Sequence, residues 1–245
     1  MRRTARLNPA RALAAFRRLL ADREDTVEAF EIVRALGGSA TERGYLKLIA
    51  TQRGGRIAYR RPELSDRLRD PARTAGFRDG SVGAAYHAFM RTERLSSARF
   101  VEASYRPKGF MIELEHPVAW FGRRIRDTHD LWHVLTGYGR EPLGELCLAA
   151  FSYRQTGELG FAFIAVAGAF ESLRRGEGLR PLTTIVEAWR AGGRAKWLLA
   201  EDYDRLLEEG LDAARARLRI DAPGRYKALG DDGRRGVLRL AARDA

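Results

Sequence analysis

Cysteine is nearly absent from the chain, since Cys147 is the only one in 245 residues. A single cysteine cannot form an intrachain disulfide or a thiolate metal cluster, so we expect a reducing compartment and a buried structural thiol. Long apolar runs are also lacking. The longest one covers residues 159–170 and is too short to span a bilayer, which needs about 20 residues. It predicts a buried helix or the wall of an apolar pocket.

Lysine is scarce as well, so nearly all of the 44 basic residues are arginine. Against 32 acidic residues they leave a net charge of +12, which favours an anionic membrane surface or carboxylate and phosphate ligands. The arginines are scattered and accompany no nucleic-acid-binding motif, so we expect no nucleic-acid partner. Hydrophobic residues make up 45% of the chain, which is sufficient for a globular core.

Apolar residues recur with the helical period of 3.6 through most of the chain, and this periodicity predicts a mainly α fold. Beyond an amphipathic N-terminal helix, helices are expected over residues 25–36, 41–51, 80–92, 117–136, 142–155, 182–200 and 201–219. Ser81 is a predicted N-cap, and Gly54-Gly55 should follow a helix end. A turn-rich stretch is expected at 60–80, and a short strand at 110–114.

The domain organisation follows from these patterns. We predict one all-helical domain over residues 1–220, folded as a helical bundle in which a helical hairpin carries a metal site. A basic, loosely ordered C-terminal tail is expected over residues 221–245. Repeats and low-complexity segments, which would indicate a different organisation, are lacking in the sequence.

Two of the four histidines lie four residues apart in the stretch RDTHDLWHVLTGYGREPLGEL, at His129 and His133. On a helix this spacing projects both imidazoles from one face about 6 Å apart, as in helices that offer two imidazoles to one metal. Asp130 is close enough to share a ligand, and Glu145 follows a glycine-containing turn. If the helices on either side form a hairpin, His133 and Glu145 meet across it.

Such a mixed set of nitrogen and oxygen donors suits zinc or another divalent transition metal. The competing interpretation is a polar patch on an ordinary amphipathic helix, because histidine pairs at this spacing also arise without a ligand. His87 and His116 lack comparable neighbours and are expected to be structural or surface residues. A di-iron site is disfavoured because Glu113 and His116 form only one of the two Glu-x-x-His motifs that it requires.

The pattern His-Asp-x-x-His, eleven residues and Glu resembles the signature of the coenzyme Q (ubiquinone) biosynthesis protein 4 family. Here it reads HDLWH at 129–133, then VLTGYGREPLG, then Glu145. The flanking segments DLWHVLTG, LGEL and RQTGELG are similar too, as are GSVGAAYHAFM at 80–90 and EDTVEAFEIVRALGG at 24–38. The resemblance extends over roughly residues 8–220, and residues 221–245 have no obvious counterpart.

This resemblance implies an all-helical fold in which four residues are both metal ligands and catalytic residues, with zinc as the metal: His129, Asp130, His133 and Glu145. It implies a role in ubiquinone biosynthesis, with other ubiquinone biosynthesis proteins as partners and a polyprenylated aromatic quinone precursor as substrate. The implied activity is a metal-dependent oxidative decarboxylation of a polyprenylated hydroxybenzoate. The alternatives are a non-catalytic prenyl-lipid-binding scaffold and a metal-dependent hydrolase unrelated to quinones.

Three arginines, at 123, 124 and 126, precede His129 by one or two helical turns, and Arg126 is a candidate for binding the substrate carboxylate. The alternative for these arginines is a solvated helix face. A lipidic substrate and the lack of a spanning segment lead us to expect a cytoplasmic protein that is peripherally associated with the inner membrane. A homodimer stays open, because nothing in the sequence decides the oligomeric state.

Overall fold

The computed structural model describes residues 7–21, 26–68, 71–92 and 116–238. Within these ranges the chain forms helices and one isolated bridge but no strand, so the predicted mainly α fold is confirmed. The strand predicted at 110–114 lies outside the described residues. None of the helices in the described ranges combines the length and the apolar character needed to cross a bilayer.

The helices are numbered along the chain. They are α1 (Pro9–Ala21), α2 (Thr26–Leu36), α3 (Ala40–Ile49), α4 (Gln52–Arg60), α5 (Leu64–Leu68), α6 (Pro71–Ala75), α7 (Val82–Thr92), α8 (Pro117–Asp127), α9 (His129–Thr136), α10 (Pro142–Thr156), α11 (Leu159–Arg174), α12 (Arg180–Arg194), α13 (Tyr203–Glu208), α14 (Leu211–Leu218), α15 (Gly224–Ala228) and α16 (Gly230–Gly236). A 3-10 turn, Leu198–Ala200, separates α12 from α13. The N-cap prediction is confirmed, because the Ser81 hydroxyl accepts the backbone N–H of Ala84 at 3.1 Å.

The helix predicted over 41–51 ends before Gly54-Gly55, as expected, because α3 stops at Ile49. The two glycines themselves lie inside the next helix, α4, which the apolar periodicity did not indicate. The Thr51 hydroxyl caps this helix by accepting the backbone N–H of Gly54 at 3.0 Å. A Cβ on Gly54 would lie 2.0 Å from the carbonyl oxygen of Leu48. The glycine therefore permits the tight passage from α3 into α4, and the stretch expected to be turn-rich contains α5 and α6.

Three predicted helices are present but divided. The helix expected over 117–136 is interrupted at Thr128, whose hydroxyl donates to the carbonyl oxygen of Ile125 at 3.0 Å. The patterns over 182–200 and 201–219 are divided into α12, the 3-10 turn, α13 and α14. Asp202 starts α13 by accepting the backbone N–H of Arg205 at 3.4 Å. A side-chain cap therefore accounts for the start of α13, whereas α9, α12 and α14 begin without one.

The main core surrounds α10, which packs most extensively along α12 and also along α11. Cys147 of α10 is fully buried and unpaired, as predicted. A second, smaller core joins α1, α2 and α11, where Phe16 and Phe163 pack edge to face with ring centroids 5.7 Å apart. A Cβ on Gly168 of α11 would lie 2.2 Å from Leu146 of α10, so the first half of α10 lies against the second half of α11.

The described part of the expected C-terminal tail forms α15 and α16 and reaches residue 238. It packs Tyr226, Val237 and Leu238 into the main core. The division of the chain at residue 220 stays a prediction, and the packing of these three side chains shows that the segment up to 238 contributes to the folded body.

Candidate metal centre

The two histidines of the motif lie together on α9. Their Nε2 atoms are 3.3 Å apart, and the rings meet edge to face with centroids 4.9 Å apart. His133 is fully buried, and its Nδ1 lies 3.0 Å from the carbonyl oxygen of Tyr138. Because a carbonyl only accepts, Nδ1 carries the proton in this hydrogen bond, and the lone pair of Nε2 faces His129. This is the arrangement in which an imidazole binds a metal through Nε2.

Glu145 of α10 reaches the same point. Its carboxylate oxygens lie 3.6 Å from Nε2 of His129 and 3.5 Å from Nε2 of His133. Gly137 ends α9 in the left-handed conformation, with φ of 76°, and Pro142 opens α10. This short connection places the first turn of α10 beside the histidines. The structure therefore brings together Glu145 and the two histidines, as the spacing predicts.

Asp130 is buried on α9 between the two histidines in sequence. One ligand atom from each of His129, Asp130 and His133 can be chosen so that all three lie within 4.8 Å of one another. These residues form a possible metal-binding group, and the Glu145 carboxylate adjoins it. The prediction that a helical hairpin binds a metal at this site stays a prediction.

Electrostatic interactions among these side chains shift their pKa values in opposite directions. Burial alone would lower the pKa of His133, but the adjacent Glu145 carboxylate and Asp130 raise it above the ordinary value. Burial alone would raise the pKa of Glu145, but the His133 and His129 imidazoles bring this pKa below its usual range. The carboxylate is therefore ionised at neutral pH and ready to accept a cation.

Two further residues border the group and were not identified from the sequence. Phe89 of α7 stacks on the His133 ring at 5.5 Å with an interplanar angle of 23°. Arg140 lies in the α9–α10 connection. Its Nε is 3.5 Å from Glu145 Oε1, and this nitrogen makes no hydrogen bond to any described residue. The only sequence signal was their position, since Phe89 lies in the family-like stretch 80–90 and Arg140 within the motif.

The solvated-face interpretation of the arginines before the motif is wrong for Arg124 and Arg126, because both are buried. Arg124 donates from Nε to the carbonyl oxygen of Leu199 at 3.1 Å. Arg126 holds the Asp127 carboxylate, with Nε 2.7 Å and Nη2 2.6 Å from Oδ1. Arg126 thus lies close to the candidate site, but part of its guanidinium is engaged by a neighbouring carboxylate.

The other two histidines are structural or surface residues, as predicted. His87 is partly buried, and its Nδ1 lies 3.0 Å from the Thr74 hydroxyl. His116 is exposed and caps α8 by accepting the backbone N–H of Val118 at 3.2 Å.

The histidine–glutamate group opens onto a cavity of about 530 Å³. Its polar end includes His129, Glu145, Arg126 and Arg140. Most of its remaining wall is apolar and comes from α1, α2, α10 and α11, with the side chains Phe16, Leu19, Leu20, Ala29, Phe30, Val33, Leu146, Ala149, Phe161 and Ile164. The apolar run at 159–170 therefore lines a cavity with one face, while its Val166 and Phe170 are exposed on the other.

The cavity is elongated. Thr41 and Glu158 line it beyond the end of α10, whereas Glu145 lies in the first turn of that helix. The rise of an α-helix places these two regions about 16 Å apart. The shape fits a ligand with a polar head and a long apolar tail.

The fold and the site thus define a class: all-α proteins with a candidate metal-binding group at the polar end of a long apolar cavity. Residues 10–224 match the family profile described as "Coenzyme Q (ubiquinone) biosynthesis protein Coq4". The chain belongs to this family and is a ubiquinone biosynthesis protein.

Individual relatives agree with the family assignment. The mitochondrial ubiquinone biosynthesis protein COQ4 homolog of Danio rerio is 28% identical over 200 residues, which cover 79% of this chain and 70% of the relative. The human mitochondrial homolog is 29% identical over 202 residues, covering 77% and 71%. A crystal structure from Nostoc punctiforme, named for ubiquinone biosynthesis, superposes with a TM-score of 0.65 at 22% identity. It covers 89% of this chain and 100% of its own and supports the fold.

Proposed function

We propose that the chain binds a divalent metal, with zinc as the first choice, and removes the ring carboxylate from a polyprenylated hydroxybenzoate by oxidative decarboxylation. The proposed ligands and catalytic residues are His129, Asp130, His133 and Glu145. The observation that carries this proposal is the position of His129 and Glu145 at the polar end of the 530 Å³ cavity, where Asp130 and His133 adjoin them. Both a charged aromatic head and a prenyl tail find a suitable environment there.

The side chains present fit a divalent metal. Two imidazoles and two carboxylates form the mixed nitrogen and oxygen donor set that zinc accepts. The hydrogen bond from His133 Nδ1 to the Tyr138 carbonyl oxygen fixes the imidazole tautomer in the form that a metal requires. When bound, the metal supplies Lewis acidity to oxygens of the substrate. Phe89, stacked on the His133 ring, limits its rotation.

The chain's own residues would bind and orient the substrate. Arg126 and Arg140 line the polar end and provide positive charge for the ring carboxylate. The apolar walls exclude water and favour the loss of charge as neutral carbon dioxide leaves. Since the carboxylate is replaced by a hydroxyl group, the reaction also consumes an oxidant, for which we propose dioxygen.

The alternative function is a non-catalytic prenyl-lipid-binding scaffold, which the apolar cavity favours by itself. The two functions require the same cavity and differ in turnover. Metal-loaded protein would be given a prenylated hydroxybenzoate with air present, and substrate loss and product would be measured by mass spectrometry. Tight binding without product would support the scaffold, and phosphoester hydrolysis without lipid affinity would support an unrelated hydrolase.

Variants of the metal ligands test the proposal directly. We expect His133→Ala and Glu145→Ala to contain less bound metal, as measured by elemental analysis. We expect their turnover to fall by about a hundredfold or more. His87→Ala is the matched control, because His87 contacts Thr74 away from the cavity. In the same assay, Arg140→Gln should weaken binding of the carboxylated substrate more than binding of its decarboxylated analogue. Full metal content in both ligand variants would refute the metal site.

The role in ubiquinone biosynthesis implies a quinone precursor as ligand and other proteins of the pathway as partners. We infer in addition a peripheral association with an anionic membrane. The net charge of +12 and the exposed apolar side chains Val166 and Phe170 on the outer face of α11 support it.

A further inference from the structure

A second pocket, of about 470 Å³, is separate from the ligand cavity. Its walls come from α4, residues 62–64, Arg124 of α8 and residues 201–205, and we call it the arginine pocket. Gly122 and Arg126 of α8 line the ligand cavity instead. The two spaces therefore lie on different faces of α8 and share no lining residue.

A buried cation lines the arginine pocket. Arg124 is 3% exposed, and it donates hydrogen bonds to the carbonyl oxygens of Leu199, at 3.1 Å, and Glu201. Its guanidinium carbon lies 4.8 Å from the centroid of the Tyr203 ring and 5.9 Å from that of Trp120. In the described part of the chain, no carboxylate lies within ion-pairing distance of this guanidinium. Carbonyl groups and ring faces solvate the group, but they do not neutralise its charge.

The carboxylates of the arginine pocket are matched by other arginines. Three of the four that line it have partners that lie outside the lining, and these pairs are Glu63 with Arg123, Glu201 with Arg217 and Asp204 with Arg67. The fourth, Asp202, has its carboxylate 3.7 Å from the Nε of Arg205. The acidic groups therefore have their own counter-charges and leave the remaining arginines of the pocket unneutralised.

Two of these remaining arginines are Arg56 and Arg60 on α4. Both are exposed, and neither has a carboxylate of a described residue within ion-pairing distance. They are four residues apart, so they project from one face of the helix about 6 Å apart along its axis. Like charges at this spacing repel each other, and an anion between them would relieve the repulsion. Together with Arg124, they give the pocket three guanidinium groups without a carboxylate partner among the described residues.

We propose that the arginine pocket binds an oxyanion of the phosphate class, with Arg56 and Arg60 at the rim and Arg124 in the wall. The planar fork of a guanidinium donates to two oxygens of a phosphate at once. A phosphate monoester carries nearly two charges at neutral pH and three strong acceptor oxygens, which suits three cations better than a single carboxylate does. The proposal does not depend on the proposed decarboxylation, because the pocket and the ligand cavity share no lining residue.

The first experiment measures the affinity of the metal-free full chain for inorganic phosphate by calorimetry at low salt. We expect the double variant Arg56→Gln/Arg60→Gln to weaken binding by about tenfold or more, because it removes two charge-assisted contacts. Arg180→Gln/Arg190→Gln is the matched control, since it removes the same charge from exposed positions on α12, outside the pocket. The control should stay within about twofold of wild type, because salt screens distant charges.

A second experiment separates a soluble phosphate from a lipid headgroup. Vesicles with phosphatidic acid, a phosphate monoester, are compared with phosphatidylglycerol vesicles of equal surface charge. Loss of inorganic phosphate binding in the α4 double variant supports a site for a soluble phosphate. Loss of only the preference for phosphatidic acid supports a site for a headgroup.

The proposal is overturned if wild type binds neither inorganic phosphate nor phosphatidic acid with preference. It is also overturned if the α4 double variant keeps both properties, or if the α12 control loses them equally. Arg124→Gln examines the buried cation. The α4 variant decides the outcome even where that buried substitution prevents folding, because its two side chains are exposed.

Discussion

Glu158 is the least exposed of the glutamates that line the cavity. It is 3% exposed, and burial raises its pKa from 4.5 to about 7, although the Thr41 hydroxyl and the Arg43 charge act in the opposite direction. One carboxylate oxygen accepts from Thr41, and the other has no hydrogen-bond partner among the described residues. The group is therefore largely protonated in the folded protein under mildly acidic conditions.

This shift predicts a pH-dependent stability. The unfolded chain loses the Glu158 proton near pH 4.5 and the folded chain near pH 7, so the free energy of unfolding should fall as pH rises through this window. Glu158→Gln removes the titration and should be more stable than wild type at pH 8 by roughly 1 to 3 kcal/mol. Urea unfolding at pH 5 and pH 8 measures this. Glu208→Gln, on the exposed surface of α13, is the control, and equal pH dependence in wild type and Glu158→Gln would contradict the prediction.

At the scale of single residues, spacing in the sequence identified the two histidines, because an i, i+4 pair shares a helix face whatever the rest of the chain does. Glu145 lies on the next helix, and its prediction depended on the two helices forming a hairpin. Arg140 and Phe89 could not be found in this way. Arg140 belongs to a connection without regular periodicity, and Phe89 lies forty-four residues before His133, on a helix whose position only the packing decides.

At the scale of helices, α10 and α12 come into close backbone contact at Gly192. A Cβ at this position would lie 2.6 Å from the carbonyl oxygen of Phe151, a backbone atom that cannot move away by itself. Gln155 adds to the contact, since its amide donates to the carbonyl oxygen of Gly192 at 2.8 Å and accepts from the backbone of Leu198 at 2.8 Å. The short distance between the two helices therefore favours glycine at this position.

The neighbouring glycine provides a matched comparison. A Cβ at Gly193 would meet only the guanidinium end of Arg154, which can rotate away. We expect Gly192→Ala to lower the free energy of unfolding by about 1 to 3 kcal/mol because of overpacking. Gly193→Ala should be close to neutral, because the helix preference of alanine over glycine, about 1 kcal/mol, offsets the cost of displacing the Arg154 guanidinium. Thermal unfolding followed by circular dichroism compares them, and equal losses would show that the close approach is not limiting.

Helix boundaries illustrate where local patterns are insufficient. The predicted helix does stop before Gly54-Gly55, yet the Thr51 cap starts α4 directly afterwards and both glycines lie inside that helix. The run over 117–136 has an uninterrupted apolar pattern, yet the helix is divided at Thr128. In both cases a threonine hydroxyl bonds to the backbone three residues away, a local contact that the apolar and glycine patterns do not record.

For the whole molecule, the net charge and the outer face of α11 predict membrane binding. Phe170 and Val166 are 66% and 69% exposed on a helix whose other face lines the ligand cavity. We expect binding to vesicles with anionic lipid at low salt, little binding to neutral vesicles, and loss of binding as salt screens the charge.

A single substitution separates the apolar from the electrostatic contribution. Phe170→Ser should weaken vesicle binding by about fivefold, because it removes apolar surface that would enter the interface. Tyr59→Ser is the control, since Tyr59 is 89% exposed on α4, away from this face. Flotation assays on both variants give the comparison. No affinity for anionic vesicles at low salt would end the membrane proposal.

The sequence by itself determined the helical class and the histidine pair, because apolar periodicity and i, i+4 spacing act within a few turns of one helix. It also indicated Glu145, because the connection between the two helices is short. Only the tertiary structure decided that Arg126 is buried against Asp127, that Glu158 ends an elongated cavity, and that Leu238 closes a wall of it. The last two of these features join segments that are far apart in sequence, and the burial of Arg126 depends on the helices packed around it. Their positions depend on how the helices pack against one another, and no local pattern records that packing.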